Sequence, residues 1–282
     1  MYHELMSFFP SLRIHIWGGL GSQLYGWALA EIIRKKTKRT IVLVLHTSGV
    51  TRRISDLDFL SKRFIIEQVE DFSPVSSTGG LPVPKSYKRF LRFLTKILGF
   101  ILTDSELGND IRIFPWTRAI RGHYTNVKIS NEIINLIISV SSAEGLIDNS
   151  LLERREYLIH YRLGDLLFLG DKKPIPPNRF VSLPIQATEL SVVSDSLPEA
   201  IKALSTIFGF SINGVRTPTA WDTLNEILNC KVFVGTPSKI SFWGIAMRKA
   251  TDPNSECYLT REHIDHLRCL TNSKTFSLIK PY

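Results

Sequence analysis

The sequence predicts an α/β protein made of two successive parallel-sheet halves. Two observations carry the prediction. A strand–turn–helix–strand order opens the chain, and a second strand–helix series begins near residue 150; that order builds parallel sheets with helices packed on them. The run IVLVL at 41–45 is apolar without alternation, as suits a strand buried on both faces.

The elements follow in order. Residues 12–17 (LRIHIW) alternate Ile14 and Ile16 and read as the first strand. A glycine-rich turn at 18–21 leads into a helix over 23–36, with Leu24, Trp27, Ala28 and Ile32 toward the core. After the strand at 41–45, residues 74–84 are rich in Ser, Pro and Gly and read as a loop. A basic amphipathic helix follows from residue 85, 111–114 is a weak strand, and Ser130 is placed to cap a helix over 132–140. In the second half, 157–161 (YLIHY), 190–193 (LSVV), 232–234 (VFV) and 257–259 read as strands. Helices are expected over 198–208, with Pro198 in the first turn, and over 219–228 and 238–248. The stretch 141–156 is the expected boundary between two Rossmann-like domains, 1–150 and 151–282. In such sheets ligands sit beyond the carboxyl ends of the strands, which picks out 18–23, 160–165, 194–195 and 235–241.

Composition narrows the class. With 282 residues and 44% hydrophobic, the chain can bury a sizeable core, and 22% charged residues exclude wholesale disorder. No repeat supports a solenoid, and no apolar run approaches the roughly 18 residues that span a bilayer. The first residues lack the pattern of a signal peptide. Cys230, Cys257 and Cys269 form neither a disulfide framework nor a metal knuckle, so a reducing, cytoplasmic setting is expected. The net charge of +9 is uneven: 21 basic and 14 acidic residues over 1–155 give +7, against 14 and 12 over 156–282, giving +2. Much of the excess lies at 34–39 (RKKTKR) and 85–96 (KSYKRFLRFLTK). A solvated basic helix face and a membrane surface remain as readings. Nucleic acid is set aside, because no helix-turn-helix, zinc-finger or RNA-binding signature accompanies the charge.

Four motifs fall at the strand ends. Gly18-Gly-Leu-Gly-Ser-Gln places backbone near a helix start, where an anion is favoured. It is neither a dinucleotide fingerprint, since Leu24 holds the third glycine position, nor a P-loop; alone it is a tight turn. His160-Tyr-Arg-Leu-Gly-Asp165 puts Arg162 where a guanidinium can grip a diphosphate, and a surface Arg–Asp pair is the even alternative. Gly235-Thr-Pro-Ser-Lys-Ile-Ser-Phe-Trp-Gly244 offers Thr236 and Ser238 at a helix start, with Phe242 and Trp243 most simply in the core. Ser194-Asp195 supplies a carboxylate for a ribose or base edge, or an ordinary helix cap.

Taken together, in this order, the motifs resemble the α-1,2-fucosyltransferase family and its wider fucosyltransferase superfamily. GGLGSQLYGWALAEII resembles that family's GGLGNQ segment, and 121–128 (RGHYTNVK) its G-Y-x-Q-S region. YLIHYRLGD resembles HxRRGDY, VVSDSLPEAIKAL the F-S-D-D segment, and 221–249 the block ending N-S-S-F-S-W-W-G-A-W-L. The resemblance spans nearly the whole chain. It implies a GT-B fold: two Rossmann-like domains facing across a cleft, acceptor side in 1–150 and nucleotide-sugar side in 151–282. It implies inverting, metal-independent transfer of fucose from GDP-fucose to a saccharide hydroxyl, with no cofactor beyond the donor. Surface polysaccharide or O-antigen assembly is the implied role, on an oligosaccharide or lipid-linked acceptor, and the basic N-terminal half suits a position peripheral to the inner membrane face.

By position, Arg162 would bind the β-phosphate and stabilise departing GDP, with His160 and Asp165 shaping that loop. Asp195 would help hold the nucleoside, and Thr236, Ser238, Ser241 and Phe242 would line the pyrophosphate. Gly19, Gly21, Ser22 and Gln23 would border the cleft. His15, Asp165 and His123 are the candidate bases. Three departures bear on the donor: Ser22 stands for Asn, Leu163 for the second Arg, and Gly235-Thr-Pro-Ser-Lys for the Asn-Ser-Ser run. Arg216, Lys172 and Lys173 are candidates to replace the missing cation. Another nucleotide-sugar donor, or a non-catalytic GT-B-like binding protein, is the alternative.

Overall fold

The computed structural model describes residues 11–47, 54–70, 97–107, 111, 113–148, 155–167, 173–185, 190–270 and 277–282. The loop expected at 74–84 and the basic stretch 85–96 lie outside the described residues. The chain divides into two units, Met1–Ile129 and Ser130–Tyr282.

In the first unit, β1 (Leu12–Trp17), β2 (Ile41–His46), β3 (Ile65–Val69), β4 (Ile101–Thr103) and β5 (Ala119–Arg121) form one parallel sheet in the order β3-β2-β1-β5-β4. Helix α1 (Leu20–Lys36) connects β1 to β2 and buries Leu24, Trp27, Ala28 and Ile33. It packs tightly on the strand it leaves: a methyl group at Gly26 would meet Ile16 Cδ1 at 2.2 Å. The helix begins three residues before its expected start, because the glycine turn is its first turn; the Ser22 and Gln23 amides both donate to the Gly19 carbonyl. Of the strand expected at 111–114, the described residues form none: Ile111 lies in a turn with φ +45°, and 113–114 are irregular. The pairing with β1 is made instead by 119–121. A short helix, α2 (Asp104–Leu107), follows β4.

The second unit contains α3 (Asn131–Ala143), β6 (Arg155–His160), β7 (Leu190–Val193), α4 (Leu197–Phe208), β8 (Asn213–Gly214), α5 (Ala220–Leu228), β9 (Cys230–Gly235), α6 (Lys239–Thr251), β10 (Glu256–Leu259) and β11 (Lys280–Pro281). The six strands are parallel, in the order β11-β10-β9-β6-β7-β8. Starting at β6, the chain moves outward through β7 and β8, then returns to β9 on the other side and continues to β10 and β11. This is the doubly wound Rossmann-like order, with its reversal between β6 and β9.

The break between units falls at residue 129 rather than near 150, so the expected domains 1–150 and 151–282 shift. The reason is α3. Ser130 caps it by accepting the Ile133 amide, as expected, but Ile133, Ile134 and Ile137 form a buried stripe and the helix packs against α6. The segment after it is tied down too: the Asp148 amide donates to Asn225 Oδ1 at 3.0 Å and Asn229 Nδ2 to the Asp148 carbonyl at 2.9 Å.

Both ends of α5 are closed by side chains. Thr219 and Asp222 form a reciprocal capping box at the start of α5. At the other end, buried Arg248 donates to the carbonyls of Ile227 at 3.0 Å and Leu228 at 3.3 Å, groups the helix itself leaves unpaired, and to that of Lys231 in β9 at 2.7 Å. Arg248→Met is therefore expected to cost about 3 kcal/mol in urea unfolding, by stranding buried carbonyls. A loss below about 1 kcal/mol would show that water replaces the guanidinium.

Candidate functional site

The reversal between β6 and β9 brings His160 opposite Gly235 in register. Their carboxyl ends therefore open side by side, where a doubly wound sheet leaves a crevice. Five of the sequence-predicted residues are interlocked there. Thr236 Oγ1 donates to the His160 carbonyl at 2.8 Å and accepts the Arg162 amide at 3.0 Å, lacing the two strand ends together. His160 Nδ1 lies 2.7 Å from Ser241 Oγ and 3.4 Å from Ser238 Oγ. Ser238 also accepts the Ser241 amide as the N-cap of α6. Gly235 makes the close approach possible, since a methyl group there would meet Ser241 Cβ at 3.0 Å.

Asp195, at the end of neighbouring β7, organises the turn after β6. Its Oδ1 accepts the amides of Leu163 and Gly164, each at 2.8 Å. Gly164 is required by this embrace: a methyl group there would sit 2.2 Å from Asp195 Oδ2. Arg162 itself is half-buried at the head of the turn. Asp165 falls in the 3-10 turn Gly164–Leu167, and its side chain lies outside the described residues.

The burial pattern separates support from surface. Thr236, Ser238, Ser241 and Phe242 are all buried, Ser241 completely. Their hydroxyls face His160 and the backbone, and Phe242 stacks on His266 at 5.5 Å. Leu163 is buried beside Tyr161 and Phe180 in the hydrophobic core. At this position the chain turns a side chain inward, so leucine takes no cation off the outer face of this turn. Arg216 follows β8, two strands from β6 and so about 10 Å away by sheet spacing. Lys173 is exposed, and Lys172 lies outside the described residues.

Sequence reasoning missed two contributors. Tyr282 closes the far side, its hydroxyl donating to the Gly235 carbonyl at 2.9 Å. Lys239 occupies the first position of α6, half-buried. A cation opposes the helix dipole there unless an anion is held beside it. Its place inside the 235–244 motif was the available signal.

His160 has a legible electrostatic state. Burial, reinforced by the Arg162 charge and opposed by Asp195, pushes its imidazole down from 6.5 to about 4. It is neutral at neutral pH and serves to hold Ser238 and Ser241. The unfolded chain binds this proton more readily, so stability present above pH 6.5 is lost as pH falls toward 4. The wild type is expected to lose roughly 3 kcal/mol across that window, and His160→Gln to lose that much less. Identical pH profiles in urea unfolding would contradict the assignment.

The first unit holds the remaining predicted residues. Gly18 takes φ +93° at the end of β1, and Gly19 caps α1. Gly21 is buried and Ser22 half-buried. Gln23 is a staple: its amide nitrogen donates to the Gly18 and Ile54 carbonyls at 3.2 and 3.1 Å, and its oxygen accepts the Asp56 amide at 2.8 Å. His15 Nδ1 lies 2.9 Å from His46 Nε2, and His46 stacks on Trp17 at 4.3 Å. The His123 amide donates to Asp104 Oδ2 at 3.1 Å.

No family model matches the chain, and no curated protein matches it. Among solved structures it is similar to the fucosyltransferase NodZ from Bradyrhizobium, with 12% identity and a TM-score of 0.49 over 85% of this chain and 93% of that one. It is similar to POFUT1 in complex with GDP, with 12% identity and a TM-score of 0.42 over 89% and 98% of the two chains. A glycosyl transferase family 9 protein from Veillonella parvula is similar at 10% identity and a TM-score of 0.41, over 89% and 80%.

Proposed function

We propose that this chain is an inverting glycosyltransferase that moves fucose from GDP-fucose to a saccharide hydroxyl without a bound metal. The observation that carries the reading is the interlocked β6/β9 junction. Arg162 heads a turn whose next two amides are held by Asp195, and α6 begins beside it with Lys239 in its first position. Because the amides of 162–164 are already engaged, diphosphate charge falls to the Arg162 guanidinium, Lys239 and the helix start. These elements carry the motifs that resemble the fucosyltransferase superfamily. In the reaction, the acceptor oxygen attacks the anomeric carbon from the face opposite GDP. The carbon–oxygen bond to the β-phosphate breaks, its electron pair stays on the phosphate, and the acceptor proton passes to a base. The two cations stabilise the charge that develops on the leaving group. The motif resemblance adds an α-1,2 linkage and a role in surface polysaccharide or O-antigen assembly.

A second reading, a nucleotide-sugar binder without turnover, is favoured by Ser22 in place of the family's asparagine. One experiment separates the two. Thermal and chemical unfolding are measured with GDP, UDP, ADP and CMP, and GDP-fucose is followed for sugar release or transfer. GDP at about 100 times its dissociation constant should add roughly 2.7 kcal/mol. Stabilisation by GDP without any sugar release or transfer would establish the binder. A response no greater for GDP than for the other nucleotides would remove the GDP-sugar reading.

A further inference from the structure

Because the five strands of the first unit run parallel, their amino ends share one edge, opposite the edge that carries the 18–23 turn. Cations collect at this amino edge. Arg34, Lys35 and Lys36 lie in the last turn of α1, Lys38 and Arg39 precede β2, Lys62 and Arg63 precede β3, and Arg118 precedes β5. Arg34, Arg39, Lys62 and Arg63 line a cavity of about 320 Å³. Fully buried Glu31 pairs with Arg34 at 3.0 Å and Arg63 at 2.9 Å, and the excess of positive charge remains large. Burial, reinforced by the Arg118 charge, holds Arg39 below its ordinary range.

The same edge shows large apolar groups to solvent: Ile65 is 51% exposed, Ile97 63%, Leu98 55%, Phe114 46% and Trp116 47%. The aromatic pair is built in, not frayed. Phe114 and Trp116 stack at 5.1 Å, and Trp116 Nε1 donates to the Leu98 carbonyl at 2.6 Å. Arg39 joins the two features, lining the cavity while donating to the Thr117 carbonyl at 2.5 Å. Cations beside exposed tryptophan, phenylalanine and branched aliphatics are the composition of a surface seated in the headgroup layer of an anionic bilayer. A nucleic acid would use the cations and leave Ile65, Ile97 and Leu98 without a partner. Among the described residues no helix is long and apolar enough to cross a membrane.

We infer that the amino edge of the first unit docks on an anionic phospholipid bilayer, its basic cavity taking a headgroup phosphate while Ile97, Leu98, Phe114 and Trp116 enter the interface. Six-residue β1 then holds the opposite, carboxyl edge of the sheet about 20 Å above that surface. This inference stands independently of the donor reading.

The test is flotation of the full chain with vesicles of phosphatidylcholine alone and of phosphatidylcholine with phosphatidylglycerol, at low and high salt, and with vesicles carrying brominated acyl chains. Binding is expected only to the anionic vesicles, and weaker in salt. Lys38→Glu with Lys62→Glu should lower the partition by about 25-fold or more, from roughly fivefold per basic residue. Bromolipid quenching of tryptophan fluorescence should fall in Trp116→Phe, a change that keeps an aromatic ring at the position. Absence of binding, binding unchanged by the double reversal, or tighter binding to duplex DNA than to vesicles would each overturn the proposal.

Discussion

Arg162→Ala is expected to lower fucosyl transfer by about 10²- to 10³-fold, the range seen when one preorganised donor to developing charge is removed. The fold should survive. Arg162 is half-buried, and the tie between β6 and β9 at this point runs through its backbone amide to Thr236 Oγ1, which alanine retains. The loss should fall on kcat more than on KM. The guanidinium meets a phosphate that is already charged in the bound donor, but the extra charge arrives only as the bond to the sugar breaks. Arg162→Lys keeps the charge and loses the two-pronged geometry, so it should lie between wild type and alanine. Steady-state kinetics with GDP-fucose, alongside urea unfolding of each variant, read the result. An alanine variant keeping more than about a tenth of wild-type kcat/KM, where a lost donor should cost at least 10²-fold, would remove Arg162 from the proposed role.

Much of this arrangement was legible in the residues. The strand-end rule pointed to 160–165, 194–195 and 235–241, and the structure joins these three stretches at one junction. The run at 41–45 was readable because full burial leaves it uniformly apolar, and 190–193 because Ser191 alone breaks an apolar stretch. β3 was missed because its exposure is mixed rather than alternating, and β4 and β5 because three residues are too few for a period to show. The division of labour within the junction was not legible either. Serines and threonines at a helix start look the same whether they face a ligand or the interior. Only burial shows that Ser238 and Ser241 turn toward His160. Leu163 read as a missing phosphate contact until its side chain was found in the core beside Phe180. The unit boundary was misplaced because the stripe of Ile133, Ile134 and Ile137 says that α3 packs, but not on which neighbour.

Asp195 carries the second large expected effect. Read from sequence it would hold the nucleoside, yet in the structure its Oδ1 accepts two amides of the turn that presents Arg162. Hydrogen bonds to a charged group are worth about 1.5–3 kcal/mol each, so Asp195→Ala removes the main restraint on that turn. Transfer should fall by about 10²-fold or more, since misplacing a positioned group by about an ångström costs that much. Asp195→Asn keeps an oxygen acceptor at the same place and should recover part of the activity. Gly164→Ala approaches the same bonds from the other side. Its added methyl group would sit 2.2 Å from Asp195 Oδ2, so the carboxylate must move and the effect should resemble Asp195→Ala. Nucleotide selectivity distinguishes the two roles. If Asp195 acts on the turn, the alanine variant loses affinity for GDP, UDP and ADP by one common factor. If it acts on the nucleoside, GDP loses more than the others in Asp195→Ala and, because the carboxylate is displaced, in Gly164→Ala as well. A common factor in both variants would place Asp195 behind Arg162, as a positioning residue for the phosphate grip.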